Sequence, residues 1–176
     1  YADAHYNLGN LFRDLGRLKE AELSYRKAID IKPDYAQAHY NLGVVLKNLG
    51  NYQEAELSYL KAIDIKPDYA PAHANLGNLF RDLGRLKEAE LLYLKAIQVN
   101  PDYSKAYYSL SLLKCSDKNK IWQDQLFSKS ILKNISKKNQ IDIYFARANI
   151  FHKEKNYVKS CKYLLLANNL KLELNS

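Results

Sequence analysis

The 176-residue chain contains no methionine, two cysteines, one tryptophan, four prolines and six glycines. Each scarcity excludes something. Cys115 and Cys161 cannot make a disulfide framework for a chain of this size, and neither sits in a CxxC or a Cys/His cluster, so zinc and thiol-redox motifs are absent and a reducing cytoplasm fits best. No stretch approaches the roughly 18 consecutive apolar residues of a membrane span. The opening YADAHYNLGN has neither the basic nor the apolar region of a targeting segment. The absence of methionine predicts a piece of a longer protein. All six glycines (Gly9, Gly16, Gly43, Gly50, Gly77, Gly84) fall at two recurring positions, which leaves none for a phosphate loop; GxGxxG and GxxxxGK[ST] are both missing. No cofactor is expected.

At 47% hydrophobic and 26% charged residues, with mean hydropathy -0.46, the composition is that of a globular domain. Charge is distributed unevenly. Residues 1-102 carry 13 Lys+Arg against 14 Asp+Glu, whereas 103-176 carry 14 against 5, so the whole excess of +8 belongs to the second part. A basic end can attract nucleic acid, phosphate groups or an acidic partner. Here the lysines, among them Lys118, Lys129, Lys138, Lys153 and Lys162, scatter over several expected helices, which favours a solvated surface over a nucleic-acid site.

What is present in abundance is repetition. Segments 1-34, 35-68 and 69-102 align without a gap, the first matching the second at 24 of 34 positions and the third at 27. Each predicts two helices. Leu8, Leu11, Phe12 and Leu15 recur at helical spacing, Gly16 stops that helix, and Leu18, Ala21, Leu23, Tyr25, Ala28 and Ile29 form a second apolar face before Pro33. Asp34 is the expected N-cap of the next helix. Gly9, Ala21 and Ala28 let the paired helices approach closely while Phe12 and Tyr25 fill the space beside them. Residues 103-136 keep part of the pattern as a degenerate fourth unit. Residues 137-176 form a fifth, with Tyr144, Ala148, Phe151, Ser160, Leu164 and Ala167 in the matching positions and Arg147 where Leu is expected. That arginine must reach solvent or find an acid.

The spacing His5-x2-Leu8-Gly9-x2-Phe12 followed by Ala21-x3-Tyr25-x2-Ala28-x4-Pro33 resembles the tetratricopeptide (TPR) signature, and it recurs from His39 to Pro67 and from His73 to Pro101. Three histidines stand where the family often has tryptophan, and their 34-residue separation makes them packing residues, not one metal site. The resemblance implies an all-α solenoid of antiparallel helix pairs, three regular and two degenerate, wound as a right-handed superhelix with a concave groove lined by the first helix of each unit. It also implies a protein-protein interaction scaffold with a peptide or protein ligand.

By the same resemblance, three rows line that groove: Tyr6, Tyr40, Ala74, Tyr108 and Phe145; Asn10, Val44, Asn78, Leu112 and Asn149; and Arg13, Lys47, Arg81, Cys115 and His152. Rings supply contact area, while amides and cations satisfy the polar atoms of an extended peptide. Tyr40 is expected to face solvent in the free chain. Asn7, Asn41 and Asn75 make a separate ladder that resembles the one in the TPR superhelix of O-linked N-acetylglucosamine transferase; these amides serve either a ligand backbone or bonding between repeats. A chaperone-tail carboxylate clamp is not expected. Asn10 and Asn41 match its amides, but Tyr6, Pro71 and Asn75 stand where it needs cations, and in the next frame Tyr40, Val44 and Ser109 are wrong.

No nucleophile, metal set or triad emerges, so the segment itself is not read as an enzyme. The alternative is that it serves as the substrate-recruiting or dimerising arm of a larger transferase, since such arrays are similar to those preceding bacterial sulfotransferase or glycosyltransferase domains. Self-association through end repeats is a further alternative.

Overall fold

In a computed structural model the described residues, 1-113, 121-133 and 135-175, are helical with no strand among them. They form two compact units, 1-84 and 85-176. The first unit holds α1 (Ala2–Asp14), α2 (Leu18–Ile31), α3 (Ala36–Asn48), α4 (Tyr52–Ile65) and α5 (Ala70–Asp82). Helices α1 and α2, and likewise α3 and α4, pack as hairpins, α2 packs on α3, and α4 packs on α5.

Small residues explain how closely these helices approach. Ala21, Ala28, Ala55 and Ala62 are fully buried, as are the Tyr25 and Tyr59 rings. The Tyr25 ring lies directly on Gly9 and the Tyr59 ring on Gly43, so near that a Cβ on Gly43 would stand 2.8 Å from the Tyr59 ring carbons. Each hairpin turns through a glycine with positive φ, Gly16 at 73° and Gly50 at 85°. A side chain there would bear left-handed strain.

Three expectations are corrected. Helix α3 begins at Ala36 with Tyr35 as its N-cap and no side-chain cap, so Asp34 does not cap it. Leu23 and Leu57 are exposed, lying outside the apolar face, because α2 and α4 bury the arc carrying alanine, serine and tyrosine instead. On α1, Leu8 and Leu11 are 40% and 54% exposed, while the counterparts of Leu8, Leu42 and Leu76, are at 4% and 1% and those of Leu11, Val45 and Leu79, are at 0% because α2 and α4 cover them.

The second unit holds α6 (Leu86–Val99), α7 (Ser104–Leu112), α8 (Ile121–Phe127), a 3-10 turn (Ser130–Leu132), α9 (Lys137–Lys153) and α10 (Tyr157–Asn175). Helix α8 has only seven residues, and α9 packs directly against α7 as well as α10. Ser104 donates to Asp142 at 2.8 Å and Asn149 to Ser111 at 3.0 Å, which ties α7 to α9 along its length. Ser136 caps α9 by accepting from the Asn139 amide at 3.2 Å.

Arg147 is 6% exposed and finds neither solvent nor an acid. Its guanidinium donates to the carbonyls of Leu126 at 2.9 Å and Ser128 at 3.0 Å, at the C-terminal end of α8, and lies near the Phe127 and Tyr163 rings. Those carbonyls are the ones a helix end leaves without partners, and a cation there is favoured by the helix dipole as well. Lys155, with φ 59°, takes the left-handed position after α9 that glycine takes in the regular repeats. Cys115, Lys118 and Lys120 lie outside the described residues.

Candidate functional site

Helices α1, α3 and α5 meet through their side chains and so present one face of the first unit. Along it Tyr6 and Tyr40 occupy equivalent places. Tyr6 is braced by the Tyr25 ring, 6.0 Å away, and by the Tyr35 ring at 4.9 Å. Tyr40 is braced by Tyr59 at 6.1 Å and Tyr69 at 5.2 Å. Tyr35 and Tyr69, the first residues of their repeats, were absent from the expected site, although their 34-residue period was there to be read. Tyr35 is itself held by donating to Asp3 at 2.8 Å.

An amide network runs beneath these rings. Tyr25 donates to Asn10 Oδ1 at 2.8 Å, and Asn41 Nδ2 donates both to that oxygen at 3.0 Å and to the Tyr6 hydroxyl at 3.2 Å. One repeat on, Asn75 Nδ2 donates to the Tyr40 hydroxyl at 2.7 Å, and Asn78 donates to Asn75 Oδ1 at 3.2 Å. Asn41 is buried, Asn75 and Tyr40 are half-buried, and Asn7 is exposed. The ring of Tyr40 is therefore part of the packing and does not simply face solvent. Burial raises its pKa, though the Asn75 bond opposes this, so Tyr40 stays a neutral phenol.

The cations form the next row, and each has an acidic neighbour. Arg13 binds Asp14 at 2.9 Å, while Lys47 at 2.6 Å and Arg81 at 3.0 Å share Asp82. Asp82 is partly desolvated, yet the bonds from Lys47 and Arg81 win and hold its carboxyl below the ordinary carboxylate range. In the second unit Tyr108 is exposed, and its ring stands 6.2 Å from that of Phe145 on α9.

Two of the histidines each meet a backbone carbonyl. His39 Nε2 stands 2.9 Å from the Pro33 carbonyl and His73 Nε2 2.8 Å from the Pro67 carbonyl, which ties the start of each helix to the turn before it. An acceptor at Nε2 makes that nitrogen the protonated one in the neutral ring. In the second unit His152 is exposed against Tyr157. Among the described residues no group of three or more His, Cys, Asp or Glu could hold a metal ion, and no helix is long and apolar enough to cross a membrane. A cleft of about 530 Å³ is lined by Asn51, Tyr52, Gln53, Glu54, Glu56 and Leu83 among others and includes none of the tyrosine row.

Family models described as TPR repeat and tetratricopeptide repeat match residues 9–50, 36–69 and 70–103, together more than half of the chain. The chain belongs to the tetratricopeptide repeat family. Solved structures agree on the TPR fold. The first TPR of Spaghetti (RPAP3), bound to the HSP90 peptide SRMEEVD, is similar with a TM-score of 0.60 at 24% identity, covering 62% of this chain and 86% of that one. MamA is similar with a TM-score of 0.60 at 20% identity, covering 99% of this chain and 80% of that one. At such identities the likeness speaks for the TPR fold alone. No curated protein sequence matches the chain.

Proposed function

We propose that this TPR chain is a protein-interaction scaffold that takes an extended peptide along the face made by α1, α3 and α5, with Tyr6, Asn7, Asn10, Arg13, Tyr40, Asn41, Lys47, Asn75, Asn78 and Arg81 as its surroundings. One observation carries the reading. Tyr6 and Tyr40 are half-buried rings, each held in place by two further tyrosines and an amide, so the aromatic row is rigid before any ligand arrives. Pre-organised rings lose little conformational freedom on binding. RPAP3, which shares the fold, holds an HSP90 peptide, and this supports the class of ligand without supplying its sequence.

Panning a displayed peptide library on the chain, followed by calorimetry, tests the reading. Tyr40→Ala should weaken a selected peptide by about 1-2 kcal/mol, with no effect from Lys27→Ala on the exposed side of α2. Equal effects of both substitutions would remove the site from this face. The reading includes no turnover by the chain itself, and activity that survives purification and is abolished by His152→Ala would contradict it.

Association through a terminal repeat has one observation in its favour. The exposed Leu8 and Leu11 of α1 belong to a segment, Leu8–Asp14, identical in sequence to Leu76–Asp82, whose Leu76 and Leu79 are buried beneath α4. Light scattering on Leu11→Glu tests it: a concentration-dependent increase in mass that persists in the variant would exclude this face.

A further inference from the structure

The direction of each hydrogen bond on the α1/α3/α5 face determines what a ligand must bring. Asn10 Oδ1 already receives two hydrogens, from Tyr25 and Asn41, and Asn75 Oδ1 receives one from Asn78. The Asn41 and Asn75 nitrogens point at the Tyr6 and Tyr40 hydroxyls. A hydroxyl that accepts a hydrogen bond keeps its own proton to give. Both rings thus retain an O–H donor, and the amide ladder that could have paired with a peptide backbone in either sense is largely engaged within the protein.

The neighbouring row has the same bias. Arg13, Lys47 and Arg81 are donors only, and they face two carboxylates, Asp14 and Asp82, which leaves an excess of one positive charge. Arg13 uses Nε and Nη2 on Asp14 and stands close enough to Tyr6, Tyr25 and Tyr40 to interact with them electrostatically. Burial at Tyr40 disfavours the phenolate, which keeps the donor proton in place.

Spacing separates one acceptor from several. Tyr6 and Tyr40 occupy equivalent places on successive first helices, α1 and α3, so a ligand that meets both hydroxyls in the same way repeats its acceptor from one helix to the next. An extended polyproline-II chain advances about 9 Å every three residues and returns the same side to the surface.

We propose that this face recognises an extended peptide segment with internal carboxylates at every third residue, Asp or Glu side chains accepting from the Tyr6 and Tyr40 hydroxyls beside Arg13. The proposal rests on the reading of this face as the ligand surface and adds the ligand's chemistry. A chain terminus is not required, because the donors are distributed along the repeats and the places of a carboxylate clamp hold Tyr6, Pro71 and Asn75.

The test uses three labelled twelve-residue probes, acetylated and amidated so that neither terminus is charged: four repeats of Glu-Pro-Ala, of Gln-Pro-Ala and of Lys-Pro-Ala. Fluorescence anisotropy on the full chain should show the Glu probe binding at least about tenfold more tightly than the Gln probe, and the Lys probe more weakly than either. The pair Tyr6→Phe/Tyr40→Phe should weaken the Glu probe more than the Gln probe and so reduce the Glu preference to about threefold or less, and Arg13→Gln should likewise reduce that preference without touching the amide network. Melting curves report whether each variant is folded. Equal binding of Glu and Gln probes, or no binding of the Glu probe, would overturn the proposal. So would a Glu preference that survives both variants, since the basic second unit would then be its source. None of these results touches the groove reading, which stands or falls on the response of a display-selected peptide to Tyr40→Ala.

Discussion

Asn75 donates its side-chain amide to the Tyr40 hydroxyl across 2.7 Å, joining the first helix of one repeat to that of the repeat before it. Asn41 makes the equivalent bond to Tyr6 at 3.2 Å. The asparagine ladder is thus a device that links repeats. Asn75→Ala should destabilise the first unit by about 1 kcal/mol, the net worth of one hydrogen bond with a half-buried partner left unmet. Tyr40→Phe removes the same bond from the other side, so the double variant should lose less than the sum of the two. Urea unfolding of the four proteins measures the difference, and strict additivity would show the bond to be worthless.

Gly43 and Tyr59 form a second coupled pair. A methyl group on Gly43 would stand 2.8 Å from the Tyr59 ring, which is only 1% exposed and has no free direction to move. Gly43→Ala should destabilise by about 1–3 kcal/mol from overpacking, partly offset by alanine's better helix propensity. The fifth unit carries Ala148 and Leu164 at the same two places. Tyr59→Leu should accordingly cost less in a Gly43→Ala background than in the parent, and a larger cost there would show that the ring is not what glycine accommodates.

Replacing Arg147 by leucine restores the residue that the repeat calls for, yet it should destabilise. The Leu126 carbonyl, in a buried bond, and the Ser128 carbonyl, in a part-buried one, would lose their donors at 2.9 and 3.0 Å. Two unmet acceptors cost about 2 kcal/mol or more. Hydrogen exchange should show the loss concentrated in α8 and α9. A leucine variant more stable than the parent would mean that packing outweighs those bonds.

Buried tyrosines predict an alkaline limit. Burial pushes Tyr25 up to about 12 and Tyr107 likewise to about 12, and it raises Tyr59 further. An unfolded tyrosine ionises near 10. The folded state therefore holds protons that the unfolded state releases between about pH 10 and 12, so stability is fully present below pH 10 and falls as pH rises through that window. Urea midpoints measured from pH 8 to 11.5 should be flat and then drop. Tyr25→Phe should soften the drop, and a profile unchanged by it would place the sensitivity elsewhere.

Much of this was legible in the residues. The 34-residue period with Leu, Gly, Ala and Pro in fixed places predicts helix hairpins because only those residues meet 3.6-residue periodicity, close helix approach and a left-handed turn at once. Tyr6 and Tyr40 were legible as a row for the same reason, since equal spacing puts equal residues on equal faces. Leu23 misled because hydrophobicity in a helix is not burial: Leu23 and Leu57 stand outside the arc that neighbouring helices cover.

The repeat by itself determined which residues form helices, which pairs of helices pack and which side chains share a face, because identical segments must fold alike. Tertiary structure alone decided the partners. The repeat puts Tyr40 and Asn75 at fixed places on successive first helices, but that the amide nitrogen of Asn75 faces the Tyr40 hydroxyl and donates to it depends on how the side chains pack. Arg147 makes the same point. Its carbonyl partners exist only because α8 ends at Phe127, where a short helix leaves acceptors exposed to a cation that no periodicity could have paired with them.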